Sequence, residues 1–305
     1  MSHTKMLTCN EKHTFNCDFM PQASWTPHFE TLKAQFDFAI AEDIGDGDHS
    51  ALSSIPSEQR GKAQLIIKEN GVFAGGALAA YLFKYIDASA TVKHFIEDGA
   101  LVEEGTLALI VEGNTIKLLQ SERLVLNYLQ RLSGIATRTY SYARLIDHTK
   151  CTVLDTRKTT PGLRVLEKWA VALGGGGNHR MGLYDMVMLK DNHIDFAGGI
   201  SEAVMRTKAY LAESERTLAI EVETRNMQEV AAAIKAGVDR IMLDNFSISE
   251  TKEAVQYIEG RTEVESSGGI THDTLVPYAE CGVDFISVGA LTHHIKGLDM
   301  SLKAL

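Results

Sequence analysis

The chain has 305 residues, 45% of them hydrophobic and 23% charged, with a mean hydropathy of -0.07. Those proportions belong to a folded globular protein long enough to bury a substantial core in one or two domains, and they exclude fibrous and disordered classes. A formal net charge of -10 argues against nucleic acid as a partner, because displacing counterions from phosphates takes a basic face.

Residues 1–24 mix polar side chains with His3, Cys9, His13 and Cys17 at spacings that fit no zinc pattern, and they read as a poorly ordered N-terminal extension. Their start, MSHTKMLTCNEKHTFNCDF, has no apolar core of the signal-peptide kind. No run approaches the roughly 18–20 apolar residues of a membrane span, so a cytoplasmic location without membrane contact is expected. The four cysteines, Cys9, Cys17, Cys151 and Cys281, form no CxxC pair and suit free thiols in a reducing compartment.

Thr26-Pro27 predicts a helix start, and Phe29, Leu32, Phe36 and Ile40 then recur at helical spacing. EDIGDGDHS breaks that helix, KAQLIIK predicts a strand, and Leu78, Tyr81, Leu82, Tyr85 and Ile86 mark a second helix. TVKHFIEDGALVEEGTLALIVEG predicts strands joined by glycine turns, which makes residues 25–115 a small mixed α/β unit. Residues 115–147 carry Leu118, Leu119, Leu126, Leu129 and Leu132 ahead of Ser133-Gly134 and predict one long helix and then another. Arg123 lies in the first of these, where spacing alone makes it a solvated surface arginine.

From residue 151 the texture becomes a repeating module, a short β-rich run ending in polar residues and then a helical segment. The runs are TVLDTRK, MVMLKDN, LAIEVET, RIMLDN, TEVESSGG and DFISVGA. Strands alternating with helices imply right-handed parallel crossovers, and polar residues at every strand end favour a barrel whose loops share one mouth.

Those strand ends bring Asp155, Arg157, Lys158, Lys190, Asp191, Asn192, Glu221, Glu223, Asp244, Asn245, Ser267, Gly268, Gly269 and Gly289 to the mouth. Arg164, Lys168, His179 and Arg180 lie between the first two strands. The early strands supply cations that match a ligand with several negative groups, since arginine forks onto carboxylates and phosphates. Glu221 and Glu223 alternate with Val222 and so point to one face, and with Asp244 they are the donor type magnesium uses beside phosphates. Ion pairing of the same acids with neighbouring lysines or arginines reads equally well. Backbone amides of SGG and VGA at the starts of following helices could hold a phosphate. The run Gly174–Gly177 matches no GxxxxGK[ST] or GxGxxG loop, and it reads as a flexible approach that presents Asn178, His179 and Arg180. No GxSxG motif is present, so the mouth is suited to positioning charge rather than forming an acyl-enzyme.

The motifs DTRKTTPGLRVLEKWAV, GGGGNHRMGLYDMVMLKDNHI, EVET, IMLDN and ESSGGI resemble those of the quinolinate phosphoribosyltransferases, over about residue 25 to the C-terminus. The resemblance implies an α/β fold in which an N-terminal sandwich-like α/β domain (25–130) precedes an incomplete, seven-stranded α/β barrel (131–290), with 291–305 returning to the first domain. It implies conversion of quinolinate and phosphoribosyl pyrophosphate to nicotinate mononucleotide, pyrophosphate and carbon dioxide in NAD biosynthesis. Magnesium is the implied cofactor and a homodimer, or an assembly of dimers, the implied state.

By matching positions, Arg157, His179 and Arg180 would hold the quinolinate carboxylates with Arg123 from the neighbouring subunit. Lys158 and Lys190 would lie between quinolinate and pyrophosphate, and Glu223 and Asp244 would face the ribose and its magnesium. Ser267, Gly268, Gly269 and Gly289 would receive the 5'-phosphate. The extension and the GDHS form near residue 47 depart from the family pattern without touching the mouth. Two other readings stand beside this one: a Schiff-base barrel lyase using Lys190, and a non-catalytic anion-binding homologue.

Overall fold

Every second residue of the first strand is apolar, and in the computed structural model, which describes residues 25–305, that alternation becomes burial of Ala63, Leu65 and Ile67 in β1 (Arg60–Ile67). The expected N-terminal extension lies outside the described residues. Ahead of β1, the helical segment begins at Phe29 rather than Pro27, because Thr31 closes a 3-10 turn by donating its amide and hydroxyl to His28 C=O. It continues as α1 (Lys33–Ile44). The short α2 (His49–Ser54) is capped by Asp48, which accepts the Ala51 N–H at 3.1 Å, so the GDHS segment ends in a helix cap.

After β1 come β2 (Gly71–Val72), α3 (Gly76–Ile86), β3 (Thr91–His94), β4 (Leu101–Val102) and β5 (Leu107–Asn114). The antiparallel pairings β1–β5 and β3–β5 form a sheet, and β2–β4 forms a separate ribbon. Leu78, Leu82 and Phe83 give α3 its buried face.

The two helices expected over 115–147 are one, α4 (Thr115–Leu145), with Asn114 accepting the Lys117 N–H as its cap. Ser133 and Gly134 do not break it because both serve packing. The Ser133 hydroxyl accepts the Ala74 N–H at 2.9 Å and donates to Ala74 C=O at 3.1 Å, and a Cβ at Gly134 would stand 2.3 Å from the Lys296 carbonyl oxygen.

The second half contains β6 (Thr152–Leu154), α5 (Arg164–Leu173), β7 (Val187–Leu189), α6 (Asp191–Ala197), α7 (Ile200–Glu213), β8 (Ile220–Thr224), α8 (Met227–Ala236), β9 (Arg240–Asp244), α9 (Ile248–Ile258), β10 (Glu263–Ser267), α10 (Leu275–Ala279), β11 (Phe285–Ser287) and α11 (Ala290–His293). Each run read as a strand is one. The sheet is parallel, in the order β6-β11-β10-β9-β8-β7, so the last strand returns to pair with the first and the one break in the circuit falls between β6 and β7. Six strands, rather than seven, are hydrogen bonded among the described residues. Beside the break, Gly177 makes a single parallel bridge to Leu154.

Gly174–Gly177 is tightly packed where a flexible approach was expected. A Cβ at Gly174 would come 2.3 Å from Ala136 C=O, one at Gly176 2.7 Å from Thr139 and one at Gly177 2.7 Å from Leu154. Gly174→Ala is therefore expected to destabilise the fold by about 1–3 kcal/mol, because a carbonyl of α4 has no room to yield. A chemical-denaturation midpoint equal to that of the wild type would contradict this close approach.

The chain ends in β12 (Met300–Ala304), which pairs antiparallel with β1 and makes the first sheet four-stranded, β12-β1-β5-β3. No helix among the described residues is long and apolar enough to cross a membrane.

Candidate active site

Parallel strands bring the residues that follow them to a common edge, and here that edge encloses a cavity of about 620 Å³. Lys158, Lys190, Glu223, Asp244, Arg157, His179, Arg180, Ser267, Gly268, Gly269 and Gly289 all line it. Of the residues given a substrate or metal role by the resemblance, Arg123 alone is elsewhere, exposed on α4, and Arg164, Asp191 and Asn192 do not line the cavity either. Asp155, Lys168 and Glu221 are fully buried rather than lining the cavity. Glu221 does share the inward side of β8 with Glu223, one layer deeper, so the acid that joins Glu223 in the mouth is Asp244.

Cations stand on one side. Arg180 donates to Met186 C=O at 3.2 Å, which leaves guanidinium donors to spare. Burial, then the positive charge of Arg157, hold its pKa below the ordinary arginine value. The loop carrying Arg157 and Lys158 is anchored from beneath. Arg131 on α4 donates to the buried Glu167 at 2.8 Å and to the Thr160 hydroxyl at 2.7 Å, while the Thr292 hydroxyl donates to Lys158 C=O at 2.7 Å.

Acids and glycines complete the lining and meet the cations at its two ends. Glu223 Oε2 lies 2.7 Å from Lys190 Nζ, and Asp244 accepts from the Asn245 amide at 2.9 Å. Gly268 and Gly269 have φ of 98° and 62°, left-handed values that glycine adopts freely, and a Cβ at Gly268 would meet Asn245 Oδ1 at 2.2 Å. The expected helix start after SGG is absent, since a turn in which Thr271 N–H donates to the Thr274 hydroxyl intervenes before α10. Gly289 does stand at the N-cap of α11, and a Cβ there would meet Lys158 Cδ at 2.8 Å.

His179 occupies the floor of the cavity. Its Nδ1 accepts the Arg180 N–H at 2.7 Å, and its Nε2 lies 3.1 Å from Glu221 and 3.4 Å from Glu265. Burial opposes a charged ring, but the two carboxylates outweigh it and lift the imidazole pKa to about 9. Burial raises the Glu221 carboxyl as well. Arg240 Nη1, 3.2 Å from Glu265, supplies the counter-charge. Ligand atoms of His179, Glu221 and Glu265 lie within 4.8 Å of one another, a spacing a metal could use, yet the guanidinium already neutralises one of the two acids. His179 Nε2, near the two carboxylates, makes no hydrogen bond, and the largely buried ring still lines the cavity.

Met188, Met242, Ile270, Ser287 and Val288 also line the cavity and escaped the reading of the sequence. A signal was present: Met188, Met242 and Ser287 each stand two residues before a mouth residue, Lys190, Asp244 and Gly289, and strand periodicity turns such pairs to one side.

Family models of the quinolinate phosphoribosyl transferase N-terminal and C-terminal domains match residues 48–133 and 135–303. A chloroplastic carboxylating nicotinate-nucleotide pyrophosphorylase of Oryza sativa subsp. japonica is 48% identical over 288 residues, covering 89% of this chain and 77% of its own. A probable carboxylating nicotinate-nucleotide pyrophosphorylase of Bacillus subtilis is 41% identical, covering 89% of this chain and 92% of its own. The solved nicotinate-nucleotide pyrophosphorylase of Francisella tularensis superposes with a TM-score of 0.87 at 37% identity, covering 93% of this chain and 99% of its own.

Proposed function

The chain belongs to the quinolinate phosphoribosyl transferase family, and from that premise we propose that it transfers phosphoribose from phosphoribosyl pyrophosphate to quinolinate with decarboxylation, giving nicotinate mononucleotide. The observation that carries this reading is the two-sided mouth, in which Arg157, Lys158, Arg180 and Lys190 share one cavity with Glu223, Asp244 and the glycine turns. Departure of pyrophosphate leaves positive charge at the anomeric carbon, so acids near the ribose and lysines near the leaving group stabilise opposite ends of one transition state. Attack by the pyridine nitrogen makes the ring cationic and an electron sink, which eases loss of the adjacent carboxylate. Arg157 and Arg180 orient the two carboxylates, and the apolar edges of Met188 and Met242 suit the ring. Ser267, Gly268, Gly269 and Gly289 receive the 5'-phosphate.

The carboxylates of Glu223 and Asp244 at one strand edge are hard oxygen donors of the kind magnesium takes beside phosphates. These two residues would hold it, and the ion, when bound, would neutralise pyrophosphate charge. Further parts of the reading are a cytoplasmic location, a pair of copies in which Arg123 enters the neighbour's mouth, and an incomplete barrel whose seventh place is taken by the Gly177 edge.

Incubation of the pure protein with quinolinate, phosphoribosyl pyrophosphate and magnesium is expected to release carbon dioxide and nicotinate mononucleotide, with quinolinate preferred over nicotinate. No product at adequate enzyme would sink the reading, and tight quinolinate binding without turnover would instead favour the silent homologue. A Schiff-base lyase fits poorly because Lys190 Nζ is engaged by Glu223 at 2.7 Å, the arrangement of a lysine that holds charge rather than one that attacks a carbonyl.

A further inference from the structure

Beneath the cations of the mouth lies a second charged group that no step of the reaction uses. Asp155 and Lys168 are each 0% exposed, and neither reaches the cavity. The Asp155 carboxylate accepts from Lys168 Nζ, from the His179 N–H at 2.8 Å and from the Asn178 amide at 2.7 Å. Lys168 Nζ also donates to His179 C=O at 2.8 Å, and the Asn178 amide donates to Lys168 C=O at 2.8 Å. The backbone continues the tie, with Gly177 N–H donating to Val153 C=O at 2.8 Å and Asp155 N–H to Gly177 C=O at 3.2 Å.

The residues so joined flank the two arginines. Asp155 stands two positions before Arg157, and His179, both of whose peptide groups are held, stands immediately before Arg180. An aspartate and a lysine removed from water cost desolvation that a pair of well-packed apolar side chains would avoid, so such a pair is poor evidence of a purely stabilising role. Two guanidinium groups sharing a cavity repel each other, and after burial the Arg157 charge also lowers the Arg180 pKa. Their loops need a brace between them.

We propose that the buried Asp155–Lys168–Asn178 unit is a positioning device that fixes Arg157 and Arg180 against one another so that together they receive the aromatic dicarboxylate. The inference rests on the functional reading above and adds three residues that touch neither substrate. It weighs on quinolinate more than on phosphoribosyl pyrophosphate, because the groups assigned to the ribose and 5'-phosphate follow β8 to β11 and share no hydrogen bond with this unit, and Lys158, beside Arg157, is held separately by the Thr292 hydroxyl.

Steady-state kinetics of the full chain test it. Lys168→Met is expected to raise the KM for quinolinate about tenfold or more, and Asn178→Ala, which removes only two donated hydrogen bonds, several-fold. The KM for phosphoribosyl pyrophosphate should stay within about twofold in both, as expected when a misplacement is confined to one binding group. Parallel rises in both KM values, or an unchanged quinolinate KM in folded Asn178→Ala, would overturn the proposal. Asn178→Ala decides alone if Lys168→Met does not fold. The wild type is assayed first: no turnover of quinolinate there overturns the functional reading itself, whereas wild-type turnover with unselective variants overturns the positioning role only.

Discussion

Arg180→Ala is expected to raise the KM for quinolinate by roughly tenfold to more than a hundredfold, the loss of one charge-assisted contact of about 1.5–3 kcal/mol. The side chain donates to Met186 C=O at 3.2 Å and to the Met188 sulfur at 3.7 Å, and donors of its planar fork remain that a carboxylate can accept. Lysine would not replace it, because a point charge lacks the second parallel donor. The nearby Arg157 makes the prediction sharper. With both guanidinium groups in place they repel, and an entering dianion relieves that repulsion, so removing one loses both an attraction and its relief. Calorimetric titration with quinolinate checks the result, and unaltered affinity would remove Arg180 from the site.

The second large effect concerns Arg123, exposed on α4 and without a hydrogen-bond or ion-pair partner among the described residues. If it completes a neighbour's mouth, Arg123→Ala should be nearly inactive while its own cavity remains intact. Mixing Arg123→Ala with Arg180→Ala chains under conditions that exchange subunits should then restore about a quarter of wild-type activity. Half of randomly formed dimers would be mixed, and each mixed dimer would hold one undamaged site of two. Activity that stays at the level of the separate variants would place Arg123 outside any shared site.

The strands of the second half were legible because each ends in polar or glycine residues and is followed by a helical pattern, and residues such as Lys190, Glu223 and Asp244 lie at those ends or one step from them. Three features were hidden for a common reason. Gly134 looks like a breaker until the Lys296 carbonyl is seen against it. Gly174–Gly177 looks loose until Ala136 and Thr139 fill the space a side chain would need. Glu265 and Arg240 carry no signal in the sequence until β9 and β10 place them beside each other and Glu265 beside His179. In every case the deciding partner is distant in sequence, and no local pattern of residue types encodes it. Position within the strand was the better guide: residues two before a mouth residue form the lining or the layer beneath it.

Pairing of β12 with β1 sets Ala304 opposite Ala63, partners about 240 residues apart. During synthesis on the ribosome, the outer edge of β1 therefore waits, with unpaired backbone groups, until residues 300–304 have emerged. An exposed strand edge is a template for unwanted pairing. Loss of residues 300–304 would leave that edge permanently open while the distant mouth could still assemble. Such a shortened product should reveal itself as a soluble-yield and aggregation defect before it shows any defect in turnover.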